Sequence, residues 1–356
     1  MTQTDERGTR RRWLKIAGVV AVVVLLGIEL VLGWSSLAAA LRHLRAPHLG
    51  WLILATLTEL AAMNAYGRMQ RRLLRSAGVR VSIVEHLRLA YAAHSLSVTL
   101  PGGPAFSTRF NYQQMRRFGA SPAIASWCIA LSGILSSCAL AVVTVGSAVA
   151  AGGAAHWQHL AGLLVAGVLL ALGVRRVARH PETVEPLLRS PLTLLNRLRR
   201  RPATEGQDRI LGFLTQLRAA RLRPAHGVTA ALFALANWFL DAVCLWLCFR
   251  AVGEQPAELT GVLLAFCAAM AAGTVTVVPG GLGIIDSALI LGLIAGGVGT
   301  SSAVAAVVLY RIISFGFIIS IGWLMWLKIR FQARRSPAAP DDEAGIEVGD
   351  LDPAAA

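Results

Sequence analysis

What most constrains this chain is the recurrence of long apolar stretches: Leu14 to Trp34, Trp51 to Tyr66, Pro122 to Ala150, Trp157 to Val174, Val228 to Phe249 and Ser301 to Leu327. A helix rises 1.5 Å per residue, so roughly 20 residues cover the ~30 Å of a bilayer's hydrocarbon. Inside lipid every backbone polar group needs a partner within the protein, and a helix supplies one. Apolar residues make up 55% of the 356 and charged residues only 15%, with a mean hydropathy of +0.60, more apolar surface than a soluble globule could hide. The expected class is an all-α polytopic membrane protein. Arg10, Arg11, Arg12 and Lys15 at the head of the first stretch resemble the start of a signal peptide, but the run is too long for one, so it reads as a retained anchor.

In a soluble protein a formal charge of +15 would suggest nucleic acid as a partner. Here the arginines sit in short loops between apolar segments, so they report topology and nucleic acid is set aside. They cluster before the first span, in Arg68 to Arg80, at Arg116 and Arg117, between Arg175 and Arg223, and from Lys328 to Arg335. The positive-inside rule wants every cluster in the cytoplasm. Counting Ile83 to Leu100 as a full crossing defeats that rule, so one segment must turn back. Leu100 is followed by Pro101-Gly102-Gly103-Pro104, a helix breaker, and a polar-spotted segment to Phe118. A hairpin here puts every cluster on one side. Pro279-Gly280-Gly281-Leu282-Gly283 repeats the device between Leu259 to Val278 and Ile284 to Val298, and this second hairpin would open outside, near Glu254 and Glu258.

At the offset that superposes the two breaks, Gly119 meets Gly297, Ala125 meets Ala303, Leu131 meets Leu309 and Ile134 meets Ile312. Each half then reads span, span, re-entrant hairpin, span, with opposite orientations: an inverted repeat of six full spans plus two hairpins, where a naive count gives eight spans. The organisation expected is a cytoplasmic basic N-terminus at 1–13, a first membrane repeat at 14–150 and a second at 157–330. The second repeat contains a cytoplasmic basic loop at 175–225, and a disordered cytoplasmic tail occupies 331–356. The location expected is the cell inner membrane.

Polar residues inside spans each cost about 2.5–3.5 kcal/mol at the bilayer centre on insertion scales, so they should have partners. They are Glu59, Asn64, Asn237, Asp241, Asp286 and Arg311. Asn237 and Asp241 share a helical face, as do Tyr310 and Ser314 around Arg311. Asp286 or Asp241 would supply the counter-charge for Arg311, either as a packing salt bridge or as part of a substrate-facing site. The breaks leave helix-start N–H groups free within the membrane, a preformed anion site. Ser107, Thr108 and Asp286 could instead cap those donors. Cys128, Cys138, Cys244, Cys248 and Cys267 lie in apolar segments and read as packing residues. PGGLG lacks the Lys-Ser/Thr of a nucleotide-binding loop, and neither HExxH nor GxSxG occurs. The expectation is therefore no enzyme, no metal and no cofactor.

Val277 to Ile290 (VVPGGLGIIDSALI) and Val307 to Ser314 (VVLYRIIS) resemble the lysylphosphatidylglycerol synthase transmembrane, or flippase-like, family. That family shows PGGLG, an acid three residues on and an arginine in the last helix. The matching positions are Pro279, Gly280, Gly281, Gly283, Asp286 and Arg311, with Asp286 standing where Glu is more usual. Leu100 to Phe110 (LPGGPAFSTRF) keeps the Pro-Gly pair and Arg109, but has Ala105-Phe106 where many relatives have Gly-Glu. The resemblance implies movement of lipid, without the soluble aminoacyl-transferase domain of the two-part synthases.

The reading is a flippase or lipid-linked-precursor transporter whose partner is a membrane lipid with an anionic head group. Pro101, Gly102, Gly103, Arg109, Asp241, Pro279, Gly280, Gly281, Gly283, Asp286 and Arg311 form its substrate-binding set. A membrane enzyme partner and a homo-oligomer are both compatible with it. The rival readings are a small-solute or ion transporter on the same repeat, and a non-transporting scaffold for a membrane glycosyltransferase.

Overall fold

A computed structural model describes residues 48–151, 224–252, 258–273, 279–281 and 283–335. The expected anchor at 14–34, the span at 157–174, the basic N-terminus, almost all of the basic loop, Glu254 and the distal tail lie outside the described residues. Among the described residues all regular secondary structure is helical. The elements are α1 (Leu49–Ser76), α2 (Ile83–Thr99), α3 (Gly103–Arg117), α4 (Pro122–Ala150), α5 (Pro224–Val252), α6 (Leu259–Gly273), α7 (Ile284–Ala295), α8 (Thr300–Arg311) and α9 (Ile318–Arg335). A short 3-10 turn (Pro279–Gly281) lies between α6 and α7, and a π-helical turn (Ile312–Phe317) joins α8 to α9 without a break in the helix.

Four of these helices are long and apolar enough to cross a membrane: Leu49–Ser76, Pro122–Ala150, Ala225–Val252 and Thr300–Gln332. They fall on four of the apolar stretches seen in the sequence. Helix starts follow local chemistry. Ser82 caps α2, accepting from the Glu85 N–H at 3.2 Å while its hydroxyl donates to Glu85 Oε2 at 2.9 Å. Ser121 caps α4 ahead of Pro122, whose missing N–H costs nothing in a first turn. By contrast α6 and α7 have 15 and 12 residues, about 23 and 18 Å at 1.5 Å per residue, short of a full crossing.

The scaffold is the pair α1 and α5, packed antiparallel along most of their length. The His48 N–H donates to Ala251 O at 2.9 Å and Arg250 lies over the Trp51 ring at 5.7 Å, both at the same end. Ala55, Ala62, Ala242 and Ala251 are buried, and small side chains let helices approach closely where lipid supplies no hydrophobic drive for association. Phe266 of α6 fills the centre, edge-on to both Trp238 and Tyr310 at 6.3 Å between centroids. Leu49, Ile53, Leu57, Val142, Val149 and Leu291 point outward, as lipid-facing side chains should.

Each break joins two helices that pack on one another, α2 with α3 and α6 with α7. The basic segments of the described chain gather at one end of the bundle. Arg72, Arg75 and Arg80 share a surface pocket with His226 at the start of α5. His86 near the start of α2 meets Phe118 just past the end of α3, with ring centroids 6.3 Å apart. The start of α2 and the end of α3 therefore lie at this same end. Helix α9 runs antiparallel along α2, which brings Arg330 there too. At that seam Gly322 sits so close to α2 that an added Cβ would lie 1.9 Å from Ser95 Oγ and 2.4 Å from Tyr91 O. Ser95 Oγ donates to Ile319 O at 3.1 Å, tying the halves of the chain together.

Candidate functional site

The second break is the best-built polar feature of the interior. Gly280 adopts φ +64°, Gly281 +61° and Gly283 +79°, left-handed conformations that L side chains rarely take. A Cβ on Gly280 would come within 2.5 Å of Phe315 Cε2 and 3.1 Å of Val98 O. Val98 lies three residues before Pro101, so the second break packs directly onto the arm leading into the first. The second PGG segment thus meets, in space, the end of the helix that leads into the first.

Asp286, in the first turn of α7, holds two partners. Its Oδ2 accepts from the Gly283 N–H at 3.1 Å, capping the helix, and its Oδ1 accepts from Arg311 Nε. The alternatives left open by the sequence, cap or counter-ion, are thus both realised by one carboxylate. The pair is partly shielded, with side-chain exposures of 19% for Arg311 and 24% for Asp286. Arg311 Nη2 is buried and has no acceptor, and Ser314 Oγ, one turn on, is buried without a partner. A guanidinium donor left unpaired in the interior is costly unless an acceptor arrives.

The direct salt bridge of Arg311 goes to Asp286, while Asp241 stands within reach of its charge without touching it. Asp241 accepts a hydrogen bond from Tyr310 Oη at 2.7 Å. Glu59, 5% exposed, comes from α1 to stand against Asp241 and Cys244. Spans from both halves thus bring an acidic pair and a phenol together beside the Arg311 pair. Asn64 is satisfied inside its own helix, donating to Leu60 O at 2.8 Å. Among the described residues no group of three or more His, Cys, Asp or Glu side chains is arranged to hold a metal ion.

At the first break Gly102 has φ +66° and caps α3 without a side-chain bond, and Pro104 occupies the first turn. Pro101 and Gly102 are exposed, whereas Gly103 is buried. Arg109 is exposed and lines an open groove of about 680 Å³ between α3 and α4, apart from the Arg311 and Asp286 pair. The structure therefore brings Gly280, Asp286, Arg311 and Asp241 into one neighbourhood and sets Arg109 in another. Sequence reasoning named Glu59 and Tyr310 but not their convergence on Asp241, which depends on the packing of α1, α5 and α8. It also missed Gln70 and Asn111, polar residues buried near the first break; their position inside apolar or hairpin segments was the available signal. The family model described as lysylphosphatidylglycerol synthase TM region matches residues 13–322. A comparison with curated proteins finds no match.

Proposed function

We propose, from the premise that this chain belongs to the lysylphosphatidylglycerol synthase transmembrane-region family, that it moves an anionic lipid or lipid-linked precursor across the bilayer. The head group is held where the two breaks meet. The observation that carries this reading is Arg311 Nη2, a buried cationic donor with no acceptor, beside a break whose Gly280 packs on the arm of the other hairpin. A packing salt bridge needs one carboxylate and is satisfied by Asp286; the remaining donor favours a transported anion. The protein does no covalent chemistry of its own in this reading. The hairpins enter and leave on one side each, as two halves of an inverted repeat, and the described basic end faces the cytoplasm of the cell that bears it in its inner membrane.

Transport is tested by reconstitution into vesicles carrying fluorescent anionic or zwitterionic lipids, following the fraction accessible to an impermeant quencher. Wild-type protein should move the anionic probe faster than the zwitterionic one, and Arg311→Gln should slow it about tenfold or more, the worth of one charge-assisted hydrogen bond. If wild type moves neither lipid faster than empty vesicles, with an ion gradient supplied, the transport reading falls and the scaffold reading takes its place.

Topology is tested separately with single cysteines in a cysteine-free background. Positions 116 and 335 should be labelled by an impermeant reagent only after the membrane is opened, and positions 254 and 297 in intact cells. Labelling of position 116 from outside would remove the hairpin arrangement.

A further inference from the structure

Beside the first break lies a cavity of different chemistry. It encloses about 340 Å³ where α1, α3, α4 and α5 converge, and among the described residues no charged side chain lines it. Hydroxyls and carboxamides make its wall, chiefly Gln70, Ser107, Thr108, Asn111, Ser132 and Ser137. Tyr66 and Trp238 add aromatic surface.

Two of these groups indicate what the cavity takes. Gln70 is 1% exposed and Asn111 6%, and Gln70 Oε1 and Asn111 Oδ1 are buried acceptors with no donor. The amide of Gln70 is oriented by its Nε2, which donates to Tyr66 Oη at 2.9 Å, so its carbonyl is the end left over. Ionised phosphate oxygens only accept, and cannot satisfy either group. A ring carrying several hydroxyls can, since each hydroxyl donates to a carbonyl and accepts from a neighbouring Ser or Thr. Such a ring also presents C–H faces to Tyr66 and Trp238.

The cavity adjoins the groove between α3 and α4, with which it shares Pro104, Thr108 and Ile129. Ala105, Ala130 and Ile129 give that groove an apolar wall, and Arg109 stands on it as an exposed cation. We propose that the cavity binds a polyhydroxylated ring, a glycosyl or inositol-like head group, with the lipid phosphate at Arg109 and an acyl chain along the groove. This rests on the lipid-transport reading, gives the head group a second station distinct from the one at Arg311, and narrows the substrate from any anionic lipid to one whose head group donates hydrogen bonds.

The full-length protein in detergent is titrated with dioctanoyl phosphatidylinositol, dioctanoyl phosphatidic acid and free myo-inositol. Phosphatidylinositol should bind about tenfold more tightly than phosphatidic acid, the worth of one or two added hydrogen bonds. Asn111→Leu and Gln70→Leu should abolish that preference, bringing the affinity for phosphatidylinositol down to that for phosphatidic acid. Asn111→Leu removes an unpaired buried acceptor, so its thermal unfolding should be unchanged or raised, whereas Gln70→Leu also gives up the bond to Tyr66 Oη and should unfold at a similar or slightly lower temperature. Competition by myo-inositol would show that the ring is recognised without its lipid; preference for phosphatidylinositol without such competition would show that the ring is taken as part of a lipid. Equal affinity for the two lipids in wild type, or a preference that survives both substitutions, overturns the proposal. The two readings fail separately: preference for phosphatidylinositol without lipid movement in vesicles removes transport and keeps the cavity, while lipid movement without the preference does the reverse.

Discussion

Arg311→Leu is expected to destabilise the protein by on the order of 3 kcal/mol, and adding Asp286→Leu to recover part of that loss. Arg311 Nε and Asp286 Oδ1 are direct partners, and both side chains are mostly shielded. Removing the arginine leaves a carboxylate with its helix cap, the Gly283 N–H, but no counter-charge. Removing both partners leaves no uncompensated charge, so the double substitution should be less harmful than the sum of the singles. Unfolding of the purified protein in detergent, monitored by heat or denaturant, measures all four corners of the cycle. Additive losses would show that the two side chains are not energetically coupled.

Gly280→Ala is the second substitution with a large expected effect. The added methyl meets Phe315 and the Val98 carbonyl at sub-van-der-Waals distances, and the residue must still adopt φ +64°. Left-handed backbone costs a non-glycine residue roughly 1–2 kcal/mol, and overpacking typically adds about 1–3. The expected loss is therefore on the order of 3 kcal/mol, with lipid movement reduced because the two breaks are forced apart. Phe315→Ala in the same chain removes the ring half of the clash but neither the carbonyl contact nor the backbone strain. The double variant should recover stability only in part. Full recovery would mean that the close approach of Gly280 to the Val98 carbonyl is not needed.

Much of this arrangement is written in local sequence. Pro101 and Pro279 each precede two glycines, and elementary backbone chemistry makes such segments helix breaks wherever they fall. Four apolar runs predict four helices of crossing length because a run of that composition has no other stable form in lipid. Arg311 and Asp286 were legible as partners because a lone charge in a span needs one. What was not legible depends on distant helices meeting at one rotational setting. Tyr310 engages Asp241 only because α8 packs on α5, and nothing in either segment says so. Gln70 stands between Arg68 and Arg71 and reads as part of the polar end of α1, yet the fold buries it against a cavity at 1% exposure. Gly322 looks like an incidental glycine in a membrane helix until α2 is laid against it.

The π-helical turn at Ile312–Phe317 gives the last span a change of phase. An α-helix advances about 100° per residue, so a wider turn that absorbs one extra residue rotates everything after it by about that much. Before the turn, Tyr310 and Arg311 address α5 and α7. After it, Ile319 and Gly322 address α2. One uninterrupted rod thus presents two unrelated azimuths, and Phe315, within the phase step, is the ring packed on Gly280. A uniform helix through the same residues could keep one of these engagements in register only by turning the other away, so the local irregularity lets a single segment engage both α2 and α7.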